Sequence, residues 1–409
     1  MTSETLAPAA LTNARARELL ARFGSPLYVY EADVVRRAYA RFRDAFPYPH
    51  LDVHYAIVCN KNAYLVRLLH GLGAGIHANT PGDVHAALGA GVLADRIVYS
   101  GSNLDAADLD YVLARGIRLN LDSLDQLRDR AARGPGEAGL RLLVDEPARP
   151  NRIGVAPGEL PEALAVAENA GLRLTTLHMY AGTNTLRLER FLECLDRTIA
   201  AAEALPDLEA LDLGGGYGVA YRDGQRPLAL ERLGAEVARR LERLSARRGR
   251  PLQLLAEPGR TLVAESCALL ATVVSVKERG GRRYVGVDTT VGNIVVESVY
   301  HPYHRVMALE PRGAELPVPT DVCGNTTHSR DYLGRSLRLP ELRPGDVLAL
   351  LDVGAYGYAM SSHFLNRPRP AEVVLDGGRA HLTTRRETLD DLTATQVPAP
   401  DPTGPAGAP

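Results

Sequence analysis

Three short stretches combine residue types that can do chemistry. In "LDLGGGYG" (211–218), Gly214, Gly215 and Gly216 follow an apolar run, and consecutive glycines let backbone N–H groups approach an anion, usually a phosphate. The same run also serves as a plain tight turn. In "LLAEPGRTLV" (254–263), Glu257 ends a second apolar run, Pro258-Gly259 sets a turn and Arg260 adds a guanidinium. A simple Glu257–Arg260 ion pair is the structural alternative. In "LLDVGAYGYAM" (350–360), Tyr356 lies between two glycines and could lend its hydroxyl to a phosphate, although a strand tyrosine is more often core. A fourth stretch, "HYAIVCNKNAYLVRLL" (54–69), joins an apolar run to a helical pattern through Cys59-Asn60-Lys61-Asn62, which makes Lys61 a possible reactive amine.

These groups need a frame that brings them together. Apolar or β-rich runs recur at 51–58, 75–79, 97–100, 117–121, 140–144, 174–181, 209–213 and 252–256, with amphipathic helical stretches between them. In the first such stretch, Leu65, Leu68, Leu69 and Leu72 share a face ahead of Gly73. Eight strand–helix repeats within about 220 residues fit a (β/α)8 barrel, a TIM barrel in α/β class, better than an open doubly wound sheet. Ligands bind at the C-terminal strand ends of such barrels, and a phosphate site often lies between the loops after strands seven and eight. The glycine run and the Gly259-Arg260 turn converge on that place. Beyond about residue 265 the chain turns β-rich, which predicts an all-β module. The expected organisation is an N-terminal helical segment (1–24), a strand joining the β domain (25–35), the barrel (36–265), the C-terminal β domain (266–390) and a Pro/Ala/Gly-rich disordered tail (391–409).

The bulk composition excludes several function classes. The chain has 409 residues, 45% hydrophobic, and a formal net charge of −2, which gives no general pull toward nucleic acid or anionic membranes. The basic run 239–250 alternates with leucine and reads as a solvated helix face. No apolar run spans a membrane and no secretory leader is expected. Four unpaired-looking cysteines, Cys59, Cys194, Cys267 and Cys323, suit a reducing cytoplasm, and none has metal-site spacing.

Ordered motifs over roughly residues 25–388 make the chain resemble the diaminopimelate/ornithine decarboxylase family of pyridoxal phosphate (PLP) enzymes, with an alanine-racemase-type barrel. They include "SPLYVYEAD", "HYAI", "NRIGV", "LHMYAGT", "LDLGGGYG", "AEPGR", "YHPYHRV" and "RRET". The resemblance implies a phosphate and ring apparatus at Gly214, Gly215, Gly216, Glu257, Gly259, Arg260 and Tyr356, with Thr183 in place of a serine. It implies that Glu257 holds a proton on the pyridine nitrogen, which makes the ring an electron sink.

The family motif Tyr-Ala-Val-Lys-Ala-Asn is Tyr55-Ala56-Ile57-Val58-Cys59-Asn60 here, so the Schiff-base lysine position falls on Val58. Strand alternation puts residues 54, 56 and 58 on one face and Lys61 on the other, about 10 Å further on if the chain stays extended. Other reaction-side positions depart together. Tyr180 takes the place of the histidine over the ring, and His77 the place of an aspartate. Leu104 replaces a lysine and Val296 an arginine. Thr327-His328 replaces the Cys-Glu pair that reaches across the family's dimer, and Phe364-Leu365 replaces Tyr-Asn. His178 and His54 are expected as structural barrel histidines, and His301 and His304 at an interface. His77, His328 and Tyr180 are the candidate proton-handling groups, with an acid/base pair preferred to a metal site and no metal expected.

Three readings follow. The first is a divergent enzyme that binds PLP or a related phosphorylated ligand noncovalently and acts on an amino-acid-derived substrate without a lysine. The second is a non-catalytic homologue that pairs with an active paralogue. The third is a conventional decarboxylase using Lys61. A homodimer is expected, with a heterodimer as the alternative.

Overall fold

The computed structural model describes residues 11–144, 151–222, 224–294 and 304–397. Helix α1 (Asn13–Phe23) leads into strand β1 (Leu27–Glu31) and helix α2 (Ala32–Asp44). Eight parallel strands then close on themselves in chain order: β2 (Leu51–Ala56), β3 (Gly75–Ala78), β4 (Ile97–Tyr99), β5 (Arg118–Leu121), β6 (Gly136–Arg141), β7 (Leu172–His178), β8 (Ala210–Asp212) and β9 (Gln253–Ala256). Helices α3 (Ala63–Gly71), α4 (Pro81–Gly89), α5 (Ala106–Leu113), α6 (Leu124–Ala131), α7 (Leu160–Asn169), α8 (Leu188–Ala202) and α9 (Leu230–Arg248) alternate with them. The (β/α)8 barrel is thus present. Its strands are covered by helices on one side and packed side chains on the other, so Leu121, Leu140, Leu177, Leu211 and Leu254 are fully buried.

Local chemistry sets where each loop at the functional end stops. Asn62, Thr80, Asp105 and Ser123 each accept a backbone N–H as N-cap of α3, α4, α5 and α6. The basic run lies mostly within α9, which buries Leu233, Val237, Leu241 and Leu244 and pairs Arg240 with Asp196 and Arg247 with Glu203 at the surface.

Three strands differ from expectation, one being the sixth barrel strand, which runs Leu172–His178 rather than 174–181. The fifth barrel strand starts at Gly136 rather than residue 140, and within it Gly139 passes so close to Asn120 that a Cβ there would sit 2.1 Å from its Oδ1. The first barrel strand stops at Ala56, and residues Ile57–Cys59 form one 3-10 turn, so strand alternation does not reach residue 58.

After a short helix, α10 (Arg260–Val263), the chain enters the β domain: β10 (Cys267–Arg279), β11 (Arg282–Val287), β12 (Val306–Ala308), β13 (Thr320–Cys323), β14 (Tyr332–Leu337), β15 (Val347–Leu351), β16 (Ala371–Asp376) and β17 (Arg379–Thr384). Strand β1 inserts between β10 and β16, antiparallel to the first and parallel to the second, so the β domain takes the N-terminal strand. Within the stretch expected as a disordered tail, a 3-10 turn covers Asp390–Leu392, and the Asp391 carboxylate accepts from Arg385 and Thr388. The remainder from 398 lies outside the described residues, as do Val296 and His301.

A buried polar chain joins the two domains. Glu372 of β16 accepts from the Tyr30 hydroxyl at 2.8 Å and the Thr384 hydroxyl at 2.5 Å. Tyr30 in turn accepts from Asn60 Nδ2 at 3.0 Å, and the same amide donates to the Gly354 carbonyl at 2.8 Å. Asn60 directly follows the 3-10 turn, so the β domain fixes that turn. Tyr30→Phe should remove one donor from a buried carboxylate and lower stability by about 1–3 kcal/mol, read as a lower urea midpoint. An unchanged midpoint would show that the seam carries no energy.

Candidate active site

The C-terminal ends of the barrel strands surround a cavity of about 200 Å³. On one side, the turn after β8 and the turn after β9 meet. Gly214 (φ 62°) and Gly216 (φ 94°) lie in the left-handed region, and a Cβ on them would stand 2.2 Å from the Met179 carbonyl and 2.1 Å from the Gly182 carbonyl. This close approach stitches the turn to the loop after β7: Thr185 N donates to Gly216 O, and Asn184 Oδ1 accepts from Val219 N. Gly215, Gly216, Gly259, Arg260, Thr183 and Tyr356 all line the cavity, whereas Gly214 supports the turn from behind. Arg260 donates to the Tyr221 hydroxyl at 2.8 Å and lies 4.7 Å from the Tyr356 ring centroid. Tyr356 itself has φ 62°, held there by its N–H on the Cys59 carbonyl at 2.8 Å. Backbone of three glycines and a guanidinium thus line one space, the kind of wall that suits an anion.

Glu257 forms the floor. Its Oε2 lies 3.4 Å from both His77 Nε2 and His178 Nε2, while its Oε1 is buried with no hydrogen-bond partner among the described residues. Burial lifts its carboxyl to about 7, against the pull of Asp212 and Arg141. Asp212 is lifted to about 7 by burial and by the neighbouring Glu257. Burial likewise drives His178 down to about 4 and His77 well below its usual range, the latter helped by His178 and Arg141, so both imidazoles are neutral. Arg141 lines the same cavity, 5.3 Å from the Tyr180 ring centroid.

The structure sorts the expected site residues. Val58, His77, Tyr180, Thr183 and the phosphate-side residues share the cavity wall. His328 does not reach it; it sits in a β-domain loop with its ring edge-on to Phe364 at 5.4 Å, so His77 and His328 do not converge within the chain. Lys61 is exposed and absent from the wall, because the 3-10 turn and the Asn62 cap direct it outward. The only other lysine, Lys277, lies on an exposed part of β10. His304, expected at an interface, is buried, with Nδ1 on the Leu351 carbonyl and its ring edge-on to Tyr221. His54 is buried with Nε2 3.1 Å from Asp52, in keeping with a core histidine. Leu104 packs partly buried against the core. Sequence reasoning missed Arg141 and Asp212. The first is a strand-end residue because β6 runs 136–141; the second ends β8 two residues before the glycine run, a position that marks it as a strand-end acid.

A sequence model described as "Pyridoxal-dependent decarboxylase, pyridoxal binding domain" matches residues 32–264. The chain belongs to that family of decarboxylases. Diaminopimelate decarboxylase of Methanothermobacter thermautotrophicus is 34% identical, over 94% of this chain and 95% of that protein. Diaminopimelate decarboxylase of Helicobacter pylori, solved with L-lysine, superposes with a TM-score of 0.85 at 28% identity, covering 92% of this chain and 98% of that one. The enzyme from M. jannaschii, also with L-lysine, gives 0.87 at 26% identity over 94% of each chain.

Membership implies pyridoxal phosphate as the group such a pocket is built around. The cavity fits two of its three ends. The glycine turns and Arg260 suit the phosphate, and a carboxyl on the wall, Glu257, suits a ring N–H. At the aldehyde end no lysine lines the wall, and residue 58 is an isopropyl group.

The acid pair sets a pH signature. Below about pH 4 folded and unfolded chains both hold these protons. Between there and about 7 the unfolded acids ionise while the buried pair stays protonated, so stability without ligand falls as pH rises through that window. His178 acts in the opposite sense, costing stability as pH drops from 6.5 toward about 4. Glu257→Gln should therefore melt higher than the parent at pH 8, by on the order of 2 kcal/mol, and nearly level with it at pH 5. A pH-independent difference would contradict the buried-acid assignment.

Proposed function

We propose that this protein binds pyridoxal phosphate, or a close phosphorylated relative, noncovalently and acts on an amino-acid-derived substrate by chemistry that uses no lysine. The observation that carries this is a cavity wall that combines the glycine turns, Arg260 and Glu257 with valine at the position the resemblance assigns to the lysine. When bound, the cofactor supplies an electron-withdrawing ring. The chain's own residues do the rest. Arg260 and the N–H groups of the glycine turns hold the phosphate. Glu257 fixes a proton at the ring nitrogen, with His178 Nε2 at hydrogen-bond distance from its Oε2. Tyr180 packs against the glycine turn, its Cε2 3.4 Å from where a Cβ on Gly216 would stand, and flanks the ring space. His77 and Tyr180 are among the groups on the wall that can pass a proton.

The relatives named above are diaminopimelate decarboxylases, and carbon-dioxide loss from an amino acid is the lineage of this site. A second reading, a non-catalytic homologue that pairs with an active paralogue, draws on the position of His328, remote from the chain's own cavity. In either reading we place the protein in the cytoplasm as a dimer. No helix among the described residues is long and apolar enough to cross a membrane.

Absorbance titration with pyridoxal phosphate should show saturable binding that Arg260→Met weakens by at least about tenfold, the order expected for one charge-assisted contact. Borohydride should trap no adduct on the parent chain and one phosphopyridoxyl group at residue 58 of Val58→Lys. An adduct on Lys61 of the parent would establish the conventional reading instead, and no binding at all would remove the proposal.

A further inference from the structure

Val58 is 42% exposed, whereas Ile57 and Cys59 on either side of it are fully buried. The turn therefore presents one isopropyl group to the cavity and hides its neighbours. It cannot retract. Asn60 N closes the turn on the Ile57 carbonyl, the Asn60 amide is anchored to Tyr30 and Gly354, and the Cys59 carbonyl holds Tyr356 N. An apolar surface fixed toward water is unfavourable until something covers it, at about 25 cal/mol per Å². Gly215, Gly216, Gly259 and Arg260 line the cavity together with Glu257, and Val58 is on the same wall. With both lysines of the chain on the outer surface, no amine in the pocket competes for the ring's 4' carbon.

We infer that the resident ligand is an N-substituted pyridoxamine phosphate: a preformed conjugate whose nitrogen belongs to the ligand and whose apolar substituent covers Val58. The inference rests on the noncovalent site proposed above and names its ligand class. The valine then acts as a specificity determinant. It replaces a group that would bond the ring carbon with a surface that selects what the ring already carries, and the absence of a pocket lysine lets such a conjugate stay intact.

Calorimetric titration of the full chain with pyridoxamine phosphate and with N-(phosphopyridoxyl)isobutylamine tests this. The conjugate should bind about tenfold tighter, the gain from burying roughly two methyl-sized groups. In Val58→Ser the ratio of the two affinities should fall to about threefold or less. Val58→Thr, nearly isosteric, serves the same comparison if the serine variant does not fold. Equal affinities for the two ligands in the parent, or a ratio untouched by both substitutions, would overturn the inference while leaving the noncovalent site standing. Failure of both ligands to bind would remove the site and the inference together.

Discussion

A carboxylate buried at the floor of the barrel mouth governs this site. One oxygen of Glu257 has two neutral histidines beside it, and the other is buried with no hydrogen-bond partner among the described residues. Asp212 stands close behind, so ionising both acids in the absence of a cation is unfavourable. The arrangement is tolerable as a proton-holding pair. The glycine turns, built by backbones too close for any Cβ, line the same cavity with Arg260. Under the proposed function these two parts of the wall receive the opposite ends of one phosphorylated ligand.

The domain seam supplies the third constraint. Glu372, Tyr30 and Asn60 pass a chain of hydrogen bonds from the β domain to the turn that carries residue 58, and Tyr356 is bound to the same turn. Insertion of β1 between β10 and β16 makes that seam part of the β sheet itself. The scaffold therefore delivers residue 58 to the cavity whatever its side chain. Lysine there would bond an aldehyde; valine offers only apolar contact. Valine at residue 58 is one of several reaction-side departures on a frame whose phosphate-side residues still share the cavity wall.

Much of this was legible in the residues. Alternating apolar runs and helical stretches mark eight strands, and the glycine run with Gly259-Arg260 marks the phosphate side, because both signals are local. What was missed depended on tertiary context. Gly136–Arg141 begins in Gly, Glu and Ala, weak strand formers that the barrel nevertheless recruits, with Gly139 passing close to Asn120, and with the strand misplaced Arg141 could not be seen as a strand-end residue. The argument that Val58 faces the pocket by strand alternation reached a correct placement for a reason the structure replaces: the strand has already ended, and a 3-10 turn does the presenting. His328 was grouped with His77 from corresponding family positions, but distance between loops of two domains is not encoded in either loop. The lysine count was available throughout and decides more than strand parity did, since two lysines, both on the surface, leave the cavity without an amine.

Mass spectrometry of the purified chain, first under native conditions and then after denaturation, addresses the central claim most directly. The account predicts a native mass above that of the chain by one phosphopyridoxyl-type ligand, and a denatured mass equal to the chain alone. An adduct that survives denaturation, on Lys61 or any other residue, would contradict it.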